Sequence, residues 1–498
     1  MATSVLDTSL TTTPAPMPAK RGQPVVDIDT TLKRVFGKRS FRSVQREVIE
    51  AALEGHDVYL QASTGLGKSL TFQLPAVVVD HGTTIVVSPL LSIMANQVEA
   101  LLAAGIKAAK LDSSMDMQER NEIFRDLESG RPTLRLLYVT PELCTTPGFR
   151  AKLGVLHKDG ELNRIVVDEA HCISEWGHDF RAAFKQLYWF KCEFPSVPVI
   201  AVTATATARV REDIIKILRL PPPPQLKIYL TPTSRSNLHY EIRYINDSIN
   251  PLDELVKWLT GVYKRRKARD GGAEERHSAV SGLIYCSKRQ TCEDVAKELR
   301  GHKIGARPYH AGLSNDEKND TTQNWLLDKL GYDIIVATTA FGMGIDKPNV
   351  RFVVHWGVPK SFEGYYQEAG RGGRDGNAAR CILFYSRESR DRTGYLLQLE
   401  ASKQQGVGGG DAQIQTQSKL KSYQELVKYC ENTSTCRHLA ISRYFGDVEP
   451  PECDFACDIC KDRNAVVSAK RNGLAAEEWV STQRETNMDY YGGVDSYE

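Results

Sequence analysis

Two adjacent carboxylates, Asp168 and Glu169, close the continuous apolar run Ile165-Val166-Val167. Such a run predicts a parallel strand buried on both faces, with its carboxyl end opening into the crevice where α/β sheets bind ligands. Upstream stands Ala62-Ser63-Thr64-Gly65-Leu66-Gly67-Lys68-Ser69-Leu70, a glycine-rich turn between a strand and a helix. Its glycines allow a tight ring of backbone N–H groups around phosphates, and the helix beginning at Lys68-Ser69-Leu70 turns its positive end toward them. Lys68 would pair with the β and γ phosphates, and Ser69 would ligate magnesium. Asp168 would hold the magnesium through water, and Glu169 would orient or deprotonate the attacking water. Together the two segments predict binding and hydrolysis of a nucleoside triphosphate. The one departure is Ala62, where a first glycine is usual.

A second chemical signal lies in Tyr366-Gln367-Glu368-Ala369-Gly370-Arg371-Gly372-Gly373-Arg374-Asp375-Gly376. Arg371 and Arg374 are spaced so that both project toward one crevice. Planar guanidinium groups suit γ-phosphate oxygens, so a pair supplied from one lobe to a nucleotide held by another would stabilise transition-state charge. Arg374 is the first choice for this finger, with Arg371 beside it. A third signal is the crowding of Cys430, Cys436, Cys453, Cys457 and Cys460 among the eleven cysteines. In a reducing compartment such a cluster predicts metal ligands before disulfides. The scattered Cys144, Cys172, Cys192, Cys286, Cys292 and Cys381 read mostly as buried thiols.

These groups need a frame to hold them. Strands are expected at Val58–Gln61, Thr84–Ser88, Leu134–Thr140, Arg164–Asp168 and Val199–Thr203, separated by helical patterns in the manner of a βαβ parallel sheet. After the stiff run Pro221-Pro222-Pro223-Pro224, a second set follows at Gly282–Cys286, Tyr332–Thr338 and Arg351–His355. The expected division is a disordered tail over 1–28, a first lobe over 29–220, a linker over 221–235 and a second lobe over 236–391. A Gly- and Gln-rich linker over 392–420, a cysteine-rich subdomain over 421–465 and a disordered tail over 466–498 complete it. The basic stretch from Lys264 to Gly272 is expected to be a solvated turn or insertion. At 498 residues with 41% hydrophobic and 25% charged residues, the composition is that of a soluble globular protein of two to four domains. No apolar run reaches the roughly 18 residues of a membrane span, and no secretory signal is evident, so an intracellular location is the expectation. The net charge of +2 excludes a global electrostatic argument, and any nucleic-acid surface must be local.

From about Leu32 to Cys460 the chain resembles the RecQ family of DNA helicases in superfamily 2. Leu32, Phe36-Gly37, Phe41-Arg42 and Gln45 are similar to the family's first motif, which implies that Gln45 reads adenine beside Phe41 and Arg42. An amide can pair with both donor and acceptor of the adenine edge. The block Asp168-Glu169-Ala170-His171-Cys172-Ile173-Ser174-Glu175-Trp176-Gly177-His178-Asp179-Phe180-Arg181 resembles the aromatic-rich loop that separates RecQ proteins from the box-type RNA helicases. Trp176 and Phe180 offer faces for bases, Arg181 can meet phosphate, and His178 belongs to the same DNA-sensing loop. His171 is expected to link the acidic motif to the other lobe.

Val87-Ser88-Pro89 and Tyr138-Val139-Thr140-Pro141-Glu142 resemble strand-contacting motifs, with Ser88, Pro89 and Thr140 toward DNA. In Ala337 to Lys347, Gly344 and Asp346 would face the nucleotide. The resemblance implies two tandem RecA-like parallel-sheet domains in the α/β class, followed by a small helical zinc-binding subdomain. Cys436, Cys453, Cys457 and Cys460 would then form a closed, structural zinc site with Cys430 left over as a buried thiol. Gly373 stands where the family usually has alanine, a change expected to be small. The implied activity is ATP-dependent unwinding, 3′ to 5′, of forked or partly duplex DNA with single-stranded DNA stimulating ATPase, in recombination and repair in the nucleus. The cofactors implied are ATP, Mg2+ and Zn2+. The short stretch after Cys460 leaves no room for the family's winged-helix wedge, so a DNA-dependent ATPase, translocase or strand-annealing scaffold with weak unwinding stays open beside the helicase.

Overall fold

The computed structural model describes residues 27–475, apart from 114, 176–179, 247–249, 270–279, 340, 342–346, 406–409, 448 and 450. The first lobe is built on strands β1 (Asp57–Gln61), β2 (Thr83–Val87), β3 (Ala108–Leu111), β4 (Leu136–Val139), β5 (Leu162–Val167), β6 (Val199–Thr203) and β7 (Leu226–Leu230). They lie in the order β3-β4-β2-β5-β6-β1-β7, with parallel pairing throughout the described residues. The apolar runs of β1, β2, β4, β5 and β6 are buried along almost their whole length because helices cover both faces. Each fully buried Val, Leu or Ile there contributes roughly 1.5–3 kcal/mol of apolar burial. The sheet brings the carboxyl ends of β1 and β5 to one side, with β6 between them. That is the side on which the phosphate loop and the acidic pair must meet.

The second lobe uses β8 (Leu238–Tyr244), β9 (Gly282–Tyr285), β10 (Ala306–Tyr309), β11 (Ile334–Ala337), β12 (Phe352–His355) and β13 (Ala379–Tyr385), in the order β10-β11-β9-β12-β13-β8. It too is parallel among the described residues. The expected α/β class with two tandem sheets is therefore what the chain adopts.

Three expectations are corrected. The segment 221–235 is not a plain linker, because β7 within it returns to the first sheet and pairs with β1. The Gly- and Gln-rich segment 392–420 is mostly helical, divided between the helices Arg387–Gln405 and Gly410–Glu431. Leu397, Tyr423, Leu426 and Tyr429 from these helices enter the same buried cluster as Tyr240, Tyr365 and Leu383 of the second lobe, so packing overrides a composition that suggests a tether. The start of the supposed tail is likewise ordered, as the helix Arg463–Ala475 seats Val466 and Leu474 in that cluster. In the basic stretch, residues 264–269 continue the helix Pro251–Arg269, and 270–272 lie outside the described residues.

Candidate functional site

At the end of β1 the chain turns through Gly65 (φ 91°) and Gly67 (φ 85°), both in the left-handed region that favours glycine. A Cβ on Gly67 would also lie 2.9 Å from Gln45 Nε2. That amide donates to the carbonyls of Leu66 (2.8 Å) and Gly67 (3.0 Å), while Gln45 Oε1 accepts from Arg42 N (2.8 Å). Arg42 Nη1 donates to Gly65 O at 3.0 Å, and Phe41 lies beneath the Arg46 guanidinium. The first motif thus grips the phosphate loop directly. Lys68 Nζ folds back to Ala62 O (3.2 Å), and Ser63 N donates to Thr231 Oγ1 (3.4 Å). Leu70 opens the helix Leu70–Val78.

Ser69 Oγ accepts from Gln97 Nε2 (3.2 Å), and Gln97 is fixed in turn by Tyr138 OH (2.7 Å), which accepts from Gln73 (3.0 Å). This network orienting the serine was invisible in sequence, because Gln73, Gln97 and Tyr138 come from two helices and a strand with no shared motif.

Asp168 follows β5 and is buried, and its Oδ1 accepts from Glu169 N at 3.0 Å. Glu169 has φ 49°, a left-handed conformation costly for a side chain of its size, which turns its carboxylate out of the strand direction. Burial, and then the neighbouring Glu169, push the Asp168 carboxyl above its ordinary range, with Lys68 opposing. Enclosure in turn pushes the Lys68 ammonium below its ordinary value, while Glu169 and Asp168 oppose this and Arg374 adds to it. Asp168 and Glu169 offer carboxylate oxygens and Ser69 a hydroxyl, the donor types that suit a hard dication.

His171 Nδ1 lies 3.0 Å from Thr203 Oγ1, 3.4 Å from Thr205 Oγ1 and 3.4 Å from Glu169 Oε2. Those bonds tie it to its own lobe, at the end of β6. The other lobe meets it across a cavity of about 40 Å³ that Glu169, His171, Arg181 and Gln367 line together. Gln367, inside the arginine-bearing block, is a site residue that the sequence reading passed over.

The helix Phe362–Ala369 ends at Gly370, and Arg371 and Arg374 occupy the turn beyond it. A Cβ on Gly65 would lie 3.3 Å from Arg374 Cγ, and one on Gly370 would lie 3.3 Å from Thr64 Cβ. The arginine turn of the second lobe therefore rests on the phosphate loop of the first. Arg371 is buried beside Tyr285. Gly373 is not the small change expected of it. Its φ is 55°, and a Cβ would stand 2.5 Å from Asn377 O and 2.6 Å from Asn237 Nδ2.

Among the residues expected to face DNA, Ser88 is fully buried at the end of β2, and Pro89 is buried beside it. Thr140 caps the short helix Pro141–Cys144 by accepting from Leu143 N. Arg181 Nη1 donates to Pro89 O at 2.6 Å, joining the aromatic-rich segment to the Ser88-Pro89 turn, and Lys185 lies 5.3 Å from the Phe180 ring. Trp176, His178, Gly344 and Asp346 lie outside the described residues.

The sulfur atoms of Cys436, Cys453, Cys457 and Cys460 all lie within 4.8 Å of one another. Tetrahedral zinc thiolates demand sulfurs this close, so the cluster fits the ion. Cys436 and Cys457 stand at the N-caps of the helices Arg437–Phe445 and Asp458–Lys461, which fixes where their sulfurs meet. Cys430 is buried, as expected of the leftover thiol. Beneath the cluster the fully buried Arg437 pairs with Asp458 through Nε–Oδ1 (2.9 Å) and Nη2–Oδ2 (3.1 Å), and Asp458 Oδ2 also accepts from Ile242 N of β8 (2.9 Å).

Residues 42–214 match the DEAD/DEAH box helicase family, 266–376 the helicase conserved C-terminal domain, and 397–461 the RecQ zinc-binding family. The chain is 41% identical over 92% of its length to ATP-dependent DNA helicase Q5 of Rattus norvegicus, covering 45% of that protein. It is 39% identical over 89% of its length to ATP-dependent helicase SGS1 of Saccharomyces cerevisiae, covering 29%. It thus spans less than half the length of these relatives. Solved structures share the fold at low identity. Mycobacterium smegmatis helicase Lhr bound to ssDNA and AMP-PNP has a TM-score of 0.54 at 16% identity, over 80% of this chain and 57% of that one. Mss116p bound to ssRNA and AMP-PNP has a TM-score of 0.55 at 15%, over 90% and 94%. A glycine-rich loop in one lobe with arginines of a second resting on it gives a two-lobed core of helicase type. The zinc-binding match and the identity along nine-tenths of the chain are more specific, and the chain belongs to the RecQ family of helicases.

Proposed function

We propose that this chain is an ATP-driven DNA motor that moves 3′ to 5′ along single-stranded DNA and opens forked duplex in recombination and repair. The observation that carries this is the seating of the Arg371–Arg374 turn on the phosphate loop, which makes the nucleotide site a property of both lobes. Lys68 and the loop N–H groups bind the phosphates. Ser69 and Asp168 would hold Mg2+, which would supply positive charge against the charge that develops on the phosphates. Glu169 orients or deprotonates water, Arg374 meets the γ-phosphate, and Gln45 and Arg42 lie on the adenine side. Because hydrolysis removes the group that both lobes hold, it loosens the cleft, and repeated closure moves the lobes along a strand.

DNA coupling would run through the segment from His171 to Arg181, of which His171, Cys172 and Arg181 border the cleft cavity with Gln367. Among the described residues no helix is long and apolar enough to cross a membrane, and we place the work in the nucleus with that of the family. The test compares unwinding of a forked duplex with ATPase on single-stranded DNA, using Lys68→Ala as the blank. Robust ATPase with no duplex opened at any enzyme concentration would replace unwinding by translocation or annealing alone.

A further inference from the structure

The arm between the lobes carries groups that none of the motifs includes. Arg235 is half-buried, and its fork donates from Nη1 to Gly370 O (2.8 Å) and from Nη2 to Gly373 O. Those two carbonyls flank Arg371 and precede Arg374. Asn237 Nδ2 donates to Gly373 O (2.9 Å) and to Asn377 O (2.8 Å), closing the turn from its far side. The turn follows a helix C-terminus, where carbonyls lack intrahelical partners and a cation is favoured. A planar guanidinium can hold two carbonyls in one fixed geometry, which an ammonium cannot.

The arm is itself anchored on three sides. Thr231 N donates to Gln61 O of β1 (2.9 Å), and Tyr366 OH to Thr233 O (2.8 Å). Thr233 N and Oγ1 both donate to Asp447 Oδ2 (2.9 and 2.8 Å) beyond the helix Arg437–Phe445. Ser234 Oγ pairs with His438 Nδ1 at 2.8 Å.

We propose that Arg235, assisted by Asn237, is a positioning residue for ATP hydrolysis: it clamps the Gly370–Gly373 turn so that Arg374 meets the γ-phosphate already oriented. The inference rests on the role given above to Arg374. The Arg235 fork is spent on the Gly370 and Gly373 carbonyls, so its loss should impair transition-state stabilisation through Arg374 while the phosphate loop still binds ATP.

Steady-state ATPase at saturating single-stranded DNA tests this, with melting temperature and zinc content as controls for folding. Arg235→Ala should lower kcat about 10- to 100-fold, as expected for a displaced catalytic group, with KM for ATP nearly unchanged. Arg235→Lys, able to hold one carbonyl, should fall between, and it decides on the same criteria if the alanine variant does not fold. Arg235→Ala combined with Arg374→Ala should be no slower than Arg374→Ala alone, since both act through one group. Wild-type kcat in a folded Arg235 variant, or losses that multiply in the double variant, overturn the clamp. If Arg374→Ala itself keeps full ATPase, the finger role fails and the clamp with it. If Arg374→Ala is inactive while Arg235→Ala is normal, the clamp alone fails.

Discussion

Glu169 concentrates the chemistry of the site in one backbone angle. Its φ of 49° turns the carboxylate away from β5 toward the cavity between the lobes. Glu169→Gln keeps the shape and removes the group proposed to act on water, so ATP binding should persist while kcat falls about 100-fold or more. Equilibrium binding of a fluorescent ATP analogue beside steady-state turnover checks this, and retained hydrolysis would exclude Glu169 as the water-activating group. Gly373 poses a second question at this scale. With φ 55° and a carbonyl where its Cβ would stand, Gly373→Ala should cost about 1 kcal/mol or more, read from urea unfolding. Sequence suggested the opposite, because a motif records residue types and not the dihedral each must adopt. Lys68, Asp168, Glu169 and Arg374 stand out in the sequence because their types and spacing fit triphosphate chemistry, and the fold brings them near one another. Gln97, Gln367 and Arg235 do not stand out, since each acts through a contact made only after folding.

Strands were legible in proportion to their burial. The continuous runs of β1, β2, β4, β5 and β6 announce themselves, whereas β8 alternates buried and half-buried residues and β10 contains Pro308 and Arg307. The sheet-edge positions of β3, β7, β8 and β10 explain these weaker signals, for an edge strand is covered less completely. β13 is an interior strand with an apolar run that was not among the expected strands. The helices Arg387–Gln405 and Gly410–Glu431 are faint in sequence for another reason: exposed Gln398, Gln413, Gln417, Lys421, Gln424 and Lys428 dominate the composition, while Leu397, Tyr423, Leu426 and Tyr429 pack inward. At this scale the Arg437–Asp458 pair matters most, because it joins the cysteine-rich subdomain to β8 through Ile242 N. Arg437→Met leaves a buried carboxylate without its cation and should destabilise the protein by about 3–5 kcal/mol. A urea midpoint that does not move would show the pair to be dispensable.

For the whole molecule the near-neutral balance of charge is informative. With a net charge of +2, long-range attraction to a polyanion is weak, and the proposed binding of single-stranded DNA would have to come from a short row of contacts. Raising salt should therefore lower that affinity with a modest logarithmic slope, near −0.7 for each phosphate engaged. A slope steeper than about −7, equivalent to some ten phosphates, would require a far broader basic surface.

The seating of the cysteine-rich loop on β8 has a consequence for how the protein behaves in solution. Tyr240 N donates to Ala456 O at 3.1 Å, and Tyr240 forms a bridge with Cys457, so this loop stoppers the outer strand of the second sheet. A bare strand at that position is a template for another chain. The metal that the four thiolates are suited to hold would then act as a guard against self-association as well as a local fold-former. Protein treated with a strong chelator under reducing conditions should shift to larger species in size-exclusion chromatography and scatter more light. Restoring zinc before those species grow should return the starting elution volume, and a stripped protein that keeps that volume would show that the strand needs no such cover.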